Sequence, residues 1–423
     1  MTAAPLLVGI DIGTTACKAA VVSLDGKERS HARVAMPWTA TPTGGQLDAA
    51  TLVEVALRAA SRALDTTPDG PVVAVGVTSM AETGVLLDGA GKSVAPAIVW
   101  HDSRGTDEVG HLRREVGDAR FRAVTGLPLD ALCSAAKYLW LRRHHSGSER
   151  GRRWLNVAEW VVHRLGGDQV SERSLASRTG WLRLADASPW VEGLQSCGAP
   201  PGLLADVVGA AAPAGSVTFG PPRLRGAVLT VGGHDHLCGA VGAGATRPGD
   251  VYDSCGTAEA LVAAVSPPVE RHTVAAAVEG GVTIGWHVLG DRHALLAGLR
   301  AGAAYDRVLR ALGIDELAGT ALDRAAGAGD VTWPEARQWR DALEHVAGCA
   351  RNRLDIIEAI AGETTRLVVA GGWTHSAALL TVKRQRLGAF ERPPVTEAGA
   401  RGAALLAAVA AGHHATIEEL PSP

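Results

Sequence analysis

An α/β fold in two domains is predicted by three features of the sequence. Apolar strands and amphipathic helices are interspersed from the N-terminus onward. The 423 residues exceed one ordinary core and suit two domains of roughly 200 residues each. A strand running into a glycine-opened polar turn occurs in both halves, at Gly13 and at Gly256. Two such turns, one per half, place a ligand between the halves.

The first strand spans Leu6–Ile10 and leads into Asp11-Ile12-Gly13-Thr14-Thr15. Gly13 lets the chain turn where a side chain would obstruct close approach, and the turn then offers N–H groups and two hydroxyls to an anion. Asp11 is a carboxylate suited to Mg2+, held directly or through water. An ordinary hairpin, with Ala16–Ser23 as its second strand, is the competing reading. A helix follows from Asp48 to Leu64, with apolar residues at 52, 53, 56, 57, 60 and 64 on one face. Next come an apolar strand at Val72–Val77, a strand and turn over Val85–Lys92, and a short strand at Ala97–Trp100.

From Leu132 to about Leu184 the pattern is helical, anchored by Trp140, Trp154, Trp160 and Trp181. A Pro/Gly-rich stretch from Gly198 to Pro222 precedes a strand at Ala227–Val231, which leads to Gly232-Gly233-His234-Asp235, a second strand-glycine-acid arrangement. Gly249–Glu259 opens the second domain through the turn at Gly256 and Thr257, and the boundary falls between residues 245 and 246. Arg366–Trp373 is a strand ending in Gly371 and Gly372, a pair that lets a flat group lie against the backbone. A helix follows over Ser376–Gly388, and the last helix, Glu397–Gly412, is apolar enough to be buried on most sides.

The 41 Lys+Arg nearly cancel the 44 Asp+Glu, so neither nucleic acid nor an anionic membrane is indicated as the main partner, and a small molecule is. With only five lysines and abundant Ala and Gly, the composition carries a bias that weakens every glycine motif taken singly. The six cysteines show no C-x-x-C and suit a reducing cytosol. The N-terminus enters the first strand with no basic n-region, and no uncharged apolar stretch reaches the roughly 20 residues that span a bilayer, so a soluble, cytoplasmic protein is expected.

Two patterns are set aside. His234-Asp235-His236 would need a fourth ligand to hold a metal, and neighbours on a strand point to opposite faces. Gly239, Gly242 and Gly244 have the wrong spacing for a dinucleotide loop. Trp100 as core, His101 as a surface histidine and Lys18 as a solvated strand residue stay open as plain alternatives to site roles.

Taken in order, these segments resemble the FGGY family of carbohydrate kinases, within the actin-like, Hsp70-like group of ATPases. The resemblance covers nearly the whole chain. It rests on Asp11-Ile12-Gly13-Thr14-Thr15 with Lys18, Gly76 to Thr83, Ile98 to Arg104, Thr125-Gly126-Leu127-Pro128 and Ala176-Ser177-Arg178-Thr179-Gly180. In the second half it rests on Gly232 to Asp235, Ser254-Cys255-Gly256-Thr257, Gly371-Gly372-Trp373 and Ala400-Arg401-Gly402-Ala403-Ala404. It implies two ribonuclease H-like (actin-like ATPase) domains flanking a cleft, in which the γ-phosphoryl group of ATP passes to a hydroxyl of a sugar or polyol. By position, Asp235 is then the general base and Asp11 manages Mg2+. Thr14, Thr15 and Lys18, with Gly256 and Thr257 across the cleft, hold the phosphates. Gly298 lies near the nucleotide, and Gly371, Gly372 and Ser376 bound the adenosine. Ala81, Glu82, Trp100, His101, Asp102 and His236 join Asp235 on the sugar side, Glu82 accepting hydrogen bonds from hydroxyls.

Three departures bear on these expectations. Between Ala311 and Asp341 a Pro-x-x-x-Gly-x-Arg segment of longer relatives is replaced by Asp315-Glu316-Leu317-Ala318 to Asp330 and Trp333-Pro334. This shortening keeps a second reading open, a nucleotide-binding regulator of weak or no turnover on the same fold, and it bears on any oligomer contact, a homodimer being left open. Glycerol kinases of the family carry an Arg-Glu-Thr run, a downstream tyrosine and a glutamine where this chain has Ala81-Glu82-Thr83, Leu132 and His236, so an acceptor larger than glycerol is expected. Xylulose kinases carry Met-His where Ala81-Glu82 stands. A chaperone or filament ATPase is disfavoured, because no peptide-binding domain or polymerisation insert is evident.

Overall fold

Two five-stranded mixed sheets, one in each half, carry the architecture of this computed structural model, which describes residues 4–423 except 68, 257, 315, 316, 318, 319 and 331. The first contains β1 (Leu6–Ile12), β2 (Ala16–Ser23), β3 (Glu28–Ala35), β4 (Val72–Ser79) and β5 (Val228–His234), in the order β5-β4-β1-β2-β3. β1, β4 and β5 run parallel, whereas β2 is antiparallel to both β1 and β3. Parallel strands covered on both faces read as unbroken apolar runs, and every position of β1 is buried. The carboxyl ends of β1, β4 and β5 therefore open along one edge.

α1 (Ala49–Asp65) covers one face of this sheet. Its N-cap Asp48 accepts the Ala50 N–H, and Leu52, Val53, Ala56, Ala60 and Leu64 of the expected face are buried, with Leu57 partly so. Where a continuous helical region was expected after Leu132, helices at Ser134–His144, Val157–Arg164 and Arg173–Ala176 are separated by strands at Arg153–Asn156 and Val170–Glu172. Trp154 anchors a core as expected, but from a strand that pairs with Gly84–Leu87. Further along, α2 (Asp235–Gly242) starts directly at the end of β5.

The second sheet contains β6 (Asp250–Cys255), β7 (Glu259–Val265), β8 (Thr283–Trp286), β9 (His293–Leu299) and β10 (Arg366–Ala370), in the order β8-β9-β7-β6-β10. Only the β6–β10 pair among these is parallel. Its core is built with α3 (Ala301–Ala311), α4 (Pro334–Ala361) and α5 (Ala377–Leu387), where Tyr305 meets Trp339 edge to face at 5.4 Å. The shortened segment contributes a helix at Ala321–Ala328 and the start of α4, and its residues 315, 316 and 318 lie outside the described residues.

α6 (Ala398–Ala410) returns to the first sheet. A Cβ at Gly9 would stand 1.7 Å from the Ala400 carbonyl oxygen and one at Gly76 1.9 Å from that of Ala403, so these glycines let the helix lie directly on β1 and β4. Its Arg401 is buried and donates to the carbonyls of Gly26, Gly242 and Pro421. The apolar sequence of the last helix is thus explained by burial against the opposite half of the chain. No helix among the described residues is long and apolar enough to cross a membrane.

Candidate active site

A cleft of about 860 Å³ lies between the sheets, walled on one side by the ends of β1, β4 and β5 and on the other by the turn after β6 and the ends of β9 and β10. Ligands of parallel sheets settle outside the carboxyl ends of strands, and this cleft follows that rule. It gathers Asp11, Thr14, Thr15, Lys18, Ala81, Glu82, Trp100, Asp235, His236, Gly256, Gly298, Gly371 and Gly372 from the sequence-based set. Thr257 lies outside the described residues.

The first turn is held tightly. Gly13 donates to the Ala16 carbonyl at 3.1 Å, the Trp38 indole donates to the Thr14 carbonyl at 2.7 Å, and the Trp100 indole donates to the Thr14 hydroxyl at 2.8 Å. Trp100 therefore braces the phosphate turn as well as forming part of the wall. Lys18 stands opposite Asp11 across the β1–β2 register, and its Nζ is 3.5 Å from both Asp11 Oδ2 and Glu397 Oε2. The plain reading of a solvated strand lysine fails, since its side chain is 28% exposed and bridges two carboxylates. The Asp11 charge pushes the Lys18 ammonium pKa up.

Asp11 is 5% exposed and its Oδ1 has no partner among the described residues. Burial, with the charges of Asp235 and Glu397 acting against that of Lys18, pushes its carboxyl up to about 6. A Cβ at position 399 would stand 2.6 Å from Asp11 Oδ2, so Gly399 leaves that carboxylate its room. Asp11, Asp235 and Glu397 outnumber Lys18 and Arg33 in this corner, Arg33 Nε standing 3.8 Å from Glu397 Oε1, and the Asp11 Oδ1 is the kind of hard oxygen that Mg2+ takes. Glu397 was not anticipated, although it directly precedes the helix carrying the Ala400-Arg401-Gly402 motif.

On the far wall, Gly371 has φ 122°, and a Cβ there would lie 2.5 Å from the Cys255 carbonyl oxygen, so this glycine seats the end of β10 against that of β6. A Cβ at Gly298 or Gly372 would meet nothing within 4 Å, which leaves open room at both. Ser376 corrects an expectation. It is buried outside the cleft wall, its hydroxyl donating to Asp323 at 2.7 Å and accepting the Leu379 N–H at 3.0 Å, so it caps α5. Trp373, Thr374 and His375 form that wall instead. Beneath the Gly256 turn, buried Lys383 donates to Asp253 and, at 2.9 Å, to Glu259.

On the acceptor side, the Asp235 side chain is 21% exposed and its Oδ1 accepts the His236 N–H at 2.8 Å, with His234 Nε2 at 3.3 Å. Burial pushes this carboxyl up, but His236, His234 and that N–H bond outweigh it and hold the group below its usual range. Burial also pushes His234 down to about 4. His234, Asp235 and His236 do not alternate between the faces of a strand as expected, because β5 ends at His234 and α2 begins at Asp235. Ligand atoms of the three residues fall within 4.8 Å of one another, though no fourth joins them among the described residues. Behind the turn, the Ser174 hydroxyl accepts the His234 N–H at 2.9 Å and donates to buried Glu172, an arrangement with no signal in the sequence.

Glu82 takes a backbone φ of 57°, and its Oε1 accepts from Arg178 Nε at 2.6 Å. Asp102 corrects a second expectation. It is fully buried outside the cleft wall, and its carboxylate accepts from Arg104, the Gly45 N–H and Thr41, so it braces a loop. His101 is exposed, stacks edge-on against Trp100 at 5.1 Å, and also lies outside the wall.

Residues 6–242 match the sequence profile of the FGGY family of carbohydrate kinases, N-terminal domain. A glycerol kinase of Trichlorobacter lovleyi is 31% identical over 98% of this chain and 92% of its own length. A xylulose kinase of Streptomyces rubiginosus is 30% identical over 74% of this chain and 64% of its own. In three dimensions, the xylulose kinase of Lactobacillus acidophilus superposes with a TM-score of 0.85 at 16% identity, over 98% of this chain and 91% of the other.

Proposed function

The chain belongs to the FGGY family of carbohydrate kinases, and we propose that within it Asp235 is the general base and Asp11 the carboxylate of a Mg2+ site. Its reaction is ATP-dependent phosphorylation of a hydroxyl of a sugar or polyol, in a cleft between two actin-like ATPase domains. A regulator without turnover is not favoured, since the relatives are kinases.

An alcohol is a weak nucleophile at neutral pH. Asp235, held ionised beside His234 and His236, accepts the hydroxyl proton as the bond to phosphorus forms, a contribution of roughly 10²- to 10⁴-fold. Its place at the start of α2 is fixed by the Ser174 bond to the preceding N–H. Thr14, Thr15 and Lys18 on one wall and the Gly256 turn on the other receive the phosphates, and Gly298, Gly371 and Gly372 leave the backbone open to the nucleotide. Positioning and charge neutralisation supply the remainder of the rate. Asp11 would hold Mg2+, supported by its Oδ1 without a partner among the described residues, and the ion held there would neutralise charge on the phosphates.

Glu82 and His236 would hold acceptor hydroxyls, while Ala81 and Leu132 in the same wall leave space that suits an acceptor larger than glycerol. Six free cysteines fit a cytoplasmic setting. The domain division is placed between residues 245 and 246, with α6 packing back on the first half.

The observation that carries this reading is that Asp11 and Asp235 line one cleft. ADP release on mixing the protein with ATP, Mg2+ and a panel of pentoses, hexoses and polyols tests it. One or a few members of the panel should drive release. ATP binding without turnover on every member would contradict it.

A further inference from the structure

We propose that Arg178 is a positioning residue that couples occupancy of the acceptor subsite to nucleotide binding in the second half of the chain. The inference rests on the reading of Glu82 as an acceptor-facing carboxylate. Three of the bonds that tie the edge strand β8 to the first half bear on this coupling. The Ile284 N–H donates to the Gly126 carbonyl at 3.0 Å, the Trp286 N–H to the Ser177 hydroxyl at 3.0 Å, and Arg178 Nη1 to the Thr283 hydroxyl at 2.8 Å. Of these ties, Arg178 alone also grips a cleft carboxylate, through its 2.6 Å bond from Nε to Glu82.

The chain of contacts continues inward. The Thr283 hydroxyl donates to the Leu296 carbonyl at 3.0 Å, and Leu296 lies on β9, the strand that carries Gly298 at the nucleotide wall. At the other end, Glu82 has a left-handed backbone, φ 57°, which is disfavoured for a residue with a side chain and persists where surrounding bonds fix it. The Arg178 bond is such a fixture. Acceptor hydroxyls that engage Glu82 hold this carboxylate, and with it Arg178, in the geometry that meets Thr283. The first two ties do not involve the acceptor subsite, whereas the Arg178 link does, so the contents of that subsite bias how β8, and β9 beside it, meet the first half. Energetic coupling between two ligands is reciprocal, so the sugar should tighten the nucleotide as much as the nucleotide tightens the sugar.

The test is the dissociation constant of a non-hydrolysable ATP analogue with Mg2+, measured by calorimetry with and without the sugar that the panel identifies. Wild-type protein, Thr283→Val and Arg178→Lys are compared at full length. The wild-type ratio should be at least about 5-fold and should fall to within about 2-fold of unity in both variants. Thr283→Val removes only a hydroxyl, so it decides the matter even if the arginine variant does not fold. A wild-type ratio of one, or a ratio in Thr283→Val still above about 2-fold, would overturn the proposal while leaving the kinase reading intact. Absence of sugar phosphorylation by wild-type protein would instead remove the reading beneath it.

Discussion

Asp11 and Asp235 stand at the carboxyl ends of β1 and β5, parallel strands with β4 between them, so two distant stretches of sequence bring their acids to one edge of one sheet. Two strand spacings separate those strands by about 10 Å. The Asp235 charge helps to push the Asp11 carboxyl up, whereas Asp235 itself is held down by its histidines. Asp11 shares Lys18 with Glu397 and keeps one oxygen without a partner among the described residues, while Asp235 is kept ionised, which suits a cation site beside a proton acceptor.

If Asp11 holds the metal, Asp11→Asn should raise the Mg2+ concentration for half-maximal rate by roughly 10- to 100-fold. A Mg2+ titration of the initial rate checks this, with circular dichroism confirming the fold. An unchanged half-saturation would assign the metal to other groups.

Glu172 should make stability fall as pH rises. Burial pushes its carboxyl from 4.5 up to about 7, so the folded state binds this proton more tightly than the unfolded chain does. Stability from this group is full below pH 4.5 and is lost as pH climbs through 7, a change of about 3 kcal/mol. Among the described residues its Oε1 has no partner and Oε2 takes three bonds, so Glu172→Gln can keep them with its one oxygen. Denaturant melts at pH 5 and pH 8 should show the variant gaining on wild type at the higher pH. Parallel pH profiles would contradict the assignment.

Lys383→Met should destabilise the protein by about 3–5 kcal/mol, because Asp253 and Glu259 would be left facing each other without water or a counter-charge. Neutralising all three, with Asp253→Asn and Glu259→Gln added, should restore most of that loss. Urea denaturation of the single and triple variants separates a buried charge penalty from simple loss of packing, which the triple variant would not repair.

Asp102→Asn should lower the melting temperature and leave the sugar KM within about twofold, since its oxygens serve Arg104, Gly45 and Thr41 rather than the cleft. A large rise in sugar KM at unchanged stability would return this residue to the acceptor subsite.

The sequence made the first sheet legible where local patterns coincide with burial. Ala16–Ser23 reads directly as a nearly unbroken apolar run, and the face of α1 by its helical period. It misled between Leu132 and Leu184, where apolar density is high but the strands Arg153–Asn156 and Val170–Glu172 are too short to show a period of their own. Residues held by glycine turns, such as Asp11, Thr14 and Gly256, were found because the turn itself is a signal. Glu397, Arg178 and Glu172 were not, because their roles come from partners far along the chain, at Lys18, Thr283 and, through Ser174, His234. Asp102 and Ser376 misled in the opposite direction. Asp102 lies within a family motif and Ser376 three residues beyond one, yet their polar atoms are consumed by Arg104 and Asp323.

The most direct measurement is steady-state kinetics of Asp235→Asn with the accepted sugar, alongside ATP binding and thermal melting. The substitution keeps the shape and removes the charge that accepts the proton. The account predicts a folded protein that binds ATP as wild type does and loses roughly two to four decades of kcat. Wild-type kcat in that variant would contradict it.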